Sequence, residues 1–210
     1  RDAERKPAEV MAFAGVRKGA KIAELAPGGG YFTRMLSLAV GPKGRVHASA
    51  GRASAAVEAW GKTHPQVTFS IIKAGDAIAP EPVDLVWTTQ NYHDFKNARV
   101  GDSDAAALYN AAAFKALKPG GVYLVNDHAA APGAPADVTS TLHRIEEATV
   151  IREVEAAGFK LASRSDLLRH EADDHTQKVF ETGVRGRTDQ FLLKFGKPKR
   201  EGRSVPPPAG

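Results

Sequence analysis

The chain of 210 residues contains no cysteine, which removes thiolate zinc sites, iron–sulfur clusters, disulfides and cysteine nucleophiles together. It has no apolar run approaching ~18 residues, so no membrane span is expected. Aromatic residues are 7% of the chain, against 42% hydrophobic residues overall. That balance excludes low-complexity and collagen-like classes and leaves material for one ordinary buried core. A net charge of +5 raises the question of nucleic acid, but positions 185–203 carry seven basic residues against two acidic ones and account for all of it. A nucleic-acid groove needs basic residues interleaved with aromatics; this surplus runs instead into Pro206-Pro207-Pro208. No nucleic-acid partner is expected, and 197–210 reads as a solvated basic tail behind a single domain at 1–196. The first residue is Arg1 rather than Met, which leads to the expectation of residues missing upstream.

What is present is one rhythm: a short apolar run, a Gly/Pro turn, then helical periodicity. Helices are predicted over 5–14, 31–40, 53–61, 104–117 and 140–157, and strands over 21–25, 45–49, 67–73, 83–88, 122–126, 160–163 and 190–195. The segment 171–188 reads as irregular. Runs such as Val83-Asp84-Leu85-Val86-Trp87 suit a parallel sheet covered on both faces. The fold class is therefore α/β, a Rossmann-like doubly wound arrangement. Trp60 and Trp87 each fall within an apolar element and are read as core.

The junction of the first strand and the next helix holds Glu24-Leu25-Ala26-Pro27-Gly28-Gly29-Gly30-Tyr31. Glycines there bring the backbone close to a ligand, and the helix start offers unpaired N–H groups. The same triplet also serves a tight strand-to-helix turn with no ligand. In a dinucleotide loop the third glycine position would fall on Thr33, where close packing wants Gly or Ala. What 24–30 does resemble is the first motif of class I S-adenosylmethionine-dependent methyltransferases, acidic-x-Gly-x-Gly-x-Gly, with Ala26 at the first glycine position. Gly75-Asp76 resembles that family's acidic motif for the adenine amino group, and Leu117-Lys118-Pro119-Gly120-Gly121 its turn before strand five. Arg5-Lys6-Pro7-Ala8-Glu9-Val10, Asn91-Tyr92-His93-Asp94, Asp127-His128 and Leu142-His143-Arg144-Ile145 further resemble a bacterial group of predicted methyltransferases.

The resemblance implies a mostly parallel seven-stranded sheet with an antiparallel seventh strand and helices on both faces. It implies S-adenosylmethionine as cofactor, with Glu24, Ala26, Pro27, Gly28, Gly29, Gly30, Ser49, Asp76 and Asn91 at its site. Cytoplasmic residence follows from use of that cofactor, whereas members of the bacterial group often carry export signals. The sequence departs from the family at the end of strand two, where an acidic residue grips the ribose. No carboxylate occurs between Glu24 and Glu58, so the ribose is left to Ser49, backbone or water, forgoing about 1–3 kcal/mol of charge-assisted hydrogen bonding. Arg45 and Arg52 flank the place and keep an NADP-binding oxidoreductase as an alternative. A non-catalytic binding protein on a degenerate scaffold is the other.

Ligands of open α/β sheets lie beyond the carboxyl ends of the strands. Strand four delivers Asn91-Tyr92-His93-Asp94 and strand five Asn126-Asp127-His128. Methyl transfer to a small-molecule hydroxyl or amine needs alignment and a proton acceptor. His93 or His128 is the candidate base, with Asp94 or Asp127 orienting it and Tyr31 or Tyr92 positioning the acceptor. The same His and Asp residues also suit a metal with oxygen and nitrogen ligands, but their spacing fixes no geometry, and no metal ligand set is assigned. His143 and Arg144 open the helix after strand five, either as an ordinary exposed amphipathic start, the commoner case, or as part of a cap over the substrate.

Overall fold

A computed structural model describes residues 2–199. In chain order the helices are α1 (Asp2–Arg5), α2 (Pro7–Ala14), α3 (Tyr31–Val40), α4 (Ala55–Thr63), α5 (Tyr92–Asn97), α6 (Ala105–Ala116), α7 (Val138–Thr141) and α8 (Glu147–Ala156). The strands are β1 (Lys21–Leu25), β2 (Arg45–Ala50), β3 (Val67–Ile71), β4 (Val83–Thr89), β5 (Arg99–Val100), β6 (Ser103–Asp104), β7 (Leu117–His128), β8 (Lys160–Ser165) and β9 (Gln190–Gly196). Seven of the strands form one sheet in the order β3-β2-β1-β4-β7-β9-β8, and β5 and β6 make a small hairpin. Pairing is parallel from β3 to β7 and antiparallel for β7–β9 and β8–β9. This is the expected doubly wound sheet with its antiparallel strand.

The central strands read as unbroken apolar runs because both their faces are covered. Ile22, Val46, Leu85, Trp87 and Leu124 pack with Phe32, Leu36 and Val57 of α3 and α4. On the other face Ala23, Val86, Tyr123 and Val125 meet Tyr109 of α6 and Val150 and Val154 of α8. Only the outermost strands alternate with solvent, as in β8. Trp87 is fully buried, while Trp60 is half-buried and donates its indole N–H to Ser37 Oγ at 3.0 Å. Among the described residues no helix is long and apolar enough to cross a membrane.

Three expectations need correction. The helix predicted over 140–157 is two: α7 stops at Thr141, the chain bends with His143 at φ 55°, and α8 begins at Glu147. The cause is Arg144, wholly buried, whose guanidinium holds Asp173 through two bonds of 2.8 and 3.0 Å and donates to the carbonyls of Ala129 and Gln177. A side chain so committed cannot sit on the surface of a continuous helix, and tertiary bonding overrides local propensity. Strand five runs on to His128, paired with Gln190, so Asp127 and His128 belong to the sheet rather than to a loop. Lys197 does not begin a solvated tail: its ammonium donates to the carbonyls of Phe114 and Leu117, and its backbone pairs with Gly120 and Gly121. The rest of that predicted tail, from 200 onward, lies outside the described residues.

Candidate active site

The glycine turn leaves β1 through residues that need the left-handed region: Ala26 at φ 54°, Gly28 at 55° and Gly30 at 74°. A Cβ at Gly28 or Gly29 would meet nothing within 4 Å, so the loop presents open space rather than a packed face. Its position is fixed from three sides. Ala26 N–H donates to Ser49 O, Ser54 Oγ donates to Gly28 O, and Asn91 Nδ2 donates to Ala26 O at 3.0 Å. Glu24 lies beneath it, buried, accepting from Thr33 Oγ1 at 2.6 Å, and burial pushes its carboxyl up to about 7. At the end of β2, Ser49 Oγ is buried with no hydrogen-bond partner among the described residues.

The expected cofactor residues separate into two sets. Glu24, Ala26, Pro27, Gly28, Gly29, Gly30, Ser49 and Asn91 converge around the turn. Asp76 closes its own turn by accepting from Lys73 N–H at 2.7 Å, and lines a cavity of about 230 Å³ with Ile78 and Ala112. Arg45 is misplaced for the phosphate of NADP. It opens β2 beside Lys21 and donates to the carbonyls of Pro42 and Gly44, about 13 Å of strand away from the Ser49 end.

The His/Asp residues come together, with His93 between Asp127 on one ring nitrogen and Asp94 on the other. Asp127 is fully buried and grips His93: its carboxylate accepts from His93 N–H at 2.8 Å and lies 2.8 and 3.0 Å from His93 Nδ1. It also accepts from the backbone N–H of His128. The neighbouring imidazoles hold its pKa below the usual carboxylate range despite the opposing cost of burial. Asp127 therefore fixes the His93 ring through Nδ1, while Asp94 Oδ1 lies 3.4 Å from its Nε2.

His128 takes Thr188 instead, with Nδ1 2.7 Å from Thr188 Oγ1. Burial, reinforced by His93, Arg144 and Arg5 against the pull of Asp127, pushes its pKa down to about 4, so the ring is neutral near pH 7. It lines a cavity of about 260 Å³ with Arg5, Gln90, Phe180, Arg185 and Gln190.

The two tyrosines go elsewhere. Tyr31 donates to Asp2 Oδ1 at 2.6 Å and lies under the Arg5 guanidinium, tying α1 across the start of α3. Tyr92 is buried among Asn110 and Glu153 and is out of reach of an acceptor. Residues that the pattern did not single out complete the cavity. Gln90, at φ 58°, accepts from Arg5 and donates to Gln190, which in turn accepts from Asn126. Their only sequence signal is polarity beside a strand end.

No family model matches the sequence, and no curated protein matches it. Solved structures do match in shape. A S-adenosylmethionine-dependent methyltransferase from Aquifex aeolicus is 17% identical over 91% of this chain and 89% of its own, with a TM-score of 0.64. The chain has the fold of these methyltransferases. The 1,6-didemethyltoxoflavin-N1-methyltransferase of Burkholderia thailandensis, solved with bound 1,6-didemethyltoxoflavin and S-adenosylhomocysteine, is 14% identical over 93% of this chain and 77% of its own, TM-score 0.65. The [4+2]-cyclase SpnF is also 14% identical, over 94% and 81%, TM-score 0.67. The same fold thus carries more than one chemistry, and the site has to decide.

The residues present fit an adenosyl cofactor. The turn offers open backbone where a Cβ would have room, and the buried Ser49 hydroxyl beside it has no partner among the described residues, a place that a ribose hydroxyl would fill.

Proposed function

We propose that the chain is a S-adenosylmethionine-dependent methyltransferase acting on a small-molecule acceptor. The observation that carries the reading is the unpartnered Ser49 hydroxyl next to the open glycine turn, which Asn91 joins directly to the strand end bearing the His128 cavity. Glu24 to Gly30, Ser49 and Asn91 hold the cofactor in this reading, with Asp76 the candidate for its adenine. The cofactor, when bound, supplies an electrophilic methyl group on its sulfonium.

The protein then has to orient the acceptor and take a proton. His128 Nδ1 is engaged by Thr188 Oγ1 at 2.7 Å, so in the Nδ1–H tautomer Nε2 of the neutral ring is the lone pair that receives it. The low basicity of this ring suits an acceptor whose hydroxyl or amine becomes acidic only as the new bond forms. Asp127 is a positioning residue, holding His93 and the His128 backbone in register.

One observation favours a second reading, a non-catalytic binding protein: the strand-two end has serine where a ribose-gripping carboxylate would be. Calorimetric titration of the purified chain with S-adenosylmethionine, S-adenosylhomocysteine and NADP tests both readings, after mass spectrometry has excluded a copurified ligand. Micromolar binding of either adenosyl ligand, without NADP binding, is the expected result. Absence of adenosyl binding would overturn the methyltransferase reading. With an acceptor in hand, His128→Ala should lower turnover by about 10²–10⁴-fold with little change in cofactor affinity; equal loss of both would assign His128 a structural role.

A further inference from the structure

We propose that His93, Asp94 and His143 form a binding site for a divalent first-row transition-metal ion beside the His128 cavity. Each of the three side chains offers one ligand atom, and these atoms all lie within 4.8 Å of one another. His93 Nε2 lies 3.4 Å from Asp94 Oδ1, and His143 Nδ1 lies 3.6 Å from the same oxygen. Both separations are long for hydrogen bonds. They match the spacing of about 3.4 Å between donors that share one tetrahedral ion at about 2.1 Å.

Two further observations point to a ligand. His143 Nδ1 is buried and has no hydrogen-bond partner among the described residues, although it faces an acidic oxygen. The backbone holds it there in the left-handed region, in a bend pinned to β7 by the Ile145 N–H to His128 O and Ala130 N–H to Ile145 O bonds. His93, for its part, has Nδ1 occupied by the buried Asp127, whose carboxylate is itself fixed by two backbone N–H groups. A carboxylate behind one ring nitrogen sets the tautomer and turns the other lone pair outward, the usual support of a metal-ligating histidine. Two imidazoles and one carboxylate suit zinc or ferrous iron and discriminate against magnesium, which prefers oxygen.

Three protein ligands leave coordination positions open. They lie close to the proposed base, the His93 and His128 ring centroids being 6.1 Å apart, so an acceptor oxygen or nitrogen held at the ion would be presented near His128. Metal binding itself is independent of methyl transfer; the role in presenting an acceptor rests on the methyltransferase reading.

The test is a titration of the tag-free, chelator-treated chain with Co²⁺, followed by its visible d–d absorption, and with Zn²⁺ in competition. One equivalent of Co²⁺ with an intense low-coordinate spectrum, displaced by Zn²⁺ and not by excess Mg²⁺, is expected. Asp94→Asn and His143→Asn should each weaken binding at least about 10-fold, and Asp127→Asn by about 10–100-fold. Asn at 143 tolerates the left-handed backbone, and circular dichroism with thermal melting verifies that each variant is folded. No saturable Co²⁺ spectrum, or affinity unchanged in the folded Asp94→Asn/His143→Asn double variant, would overturn the site. Metal binding without adenosyl binding would retain this site and sink the methyltransferase reading, and the reverse would do the opposite.

Discussion

Glu24 sits in the middle of the sheet, opposite Ala48 of β2 and Trp87 of β4, with only 2% of its surface exposed. Burial raises its carboxyl from 4.5 to about 7, with the Thr33 hydrogen bond opposing. Between those values the folded chain holds a proton that the unfolded chain has released. The stability tied to this group is therefore complete below about pH 4.5, declines as pH rises, and is lost above about pH 7. At 1.36 kcal/mol per unit the span amounts to about 3 kcal/mol. Glu24→Gln keeps an acceptor for Thr33 but does not titrate. The variant should match the native chain near pH 4 and exceed it by about 3 kcal/mol near pH 8. Urea unfolding of both chains across that range, followed by tryptophan fluorescence, measures the difference, and other titrating groups cancel in it. A stability difference that stays constant from about pH 5 to about pH 8 would refute the assigned shift.

Three other perturbations probe the frame around the site. Ser49→Ala removes a buried hydroxyl without a partner, so the ligand-free chain should gain about 1 kcal/mol in denaturant unfolding while affinity for S-adenosylhomocysteine falls; unchanged affinity would remove Ser49 from the site. Gly28→Val places a branched residue at φ 55°, which should cost about 1–2 kcal/mol in a thermal melt. Its side chain would project into the open space of the turn, and calorimetry should find no adenosyl binding in a folded protein. Arg144→Ala strands the buried Asp173 carboxylate and should cost about 3–5 kcal/mol in chemical denaturation; a loss below about 1 kcal/mol would mean that the 142–146 bend is held by other contacts.

The sheet was legible because its physics is local. Continuous apolar strands such as 83–88 and glycine stops at 15, 41 and 158 each declare an element without reference to anything distant, whereas Lys118-Pro119-Gly120-Gly121, which reads as a turn, is part of β7. The misreadings arise where a distant partner decides. The 140–157 pattern has helical periodicity throughout, and nothing within it announces that Arg144 will be drawn inward by Asp173, 29 residues on. Lys197 looks like tail by composition, yet the carbonyls of Phe114 in α6 and Leu117 at the start of β7 give its ammonium a place to bind.

The site divides along the same line. The glycine turn could be located from sequence because backbone conformation at a strand-to-helix junction is written in the residues that adopt it. Pairing among the histidines and carboxylates could not. The sequence leaves either histidine open to either carboxylate; Asp127 lies in β7 and His93 near the start of α5, and the parallel pairing of β4 with β7 sets that carboxylate under the helix. His143 was further from view still: it joins the cluster only because Arg144 breaks the helix one residue later and pins the bend against β7. Arg144 thus acts on the chemistry without touching it. Its replacement should cost stability and, if the metal site is as drawn, should also weaken Co²⁺ binding. Arg144→Lys, which keeps the charge and loses the two-bond grip on Asp173, separates the two effects: a folded variant with impaired metal affinity means that the bend, rather than the net charge of the pair, positions His143.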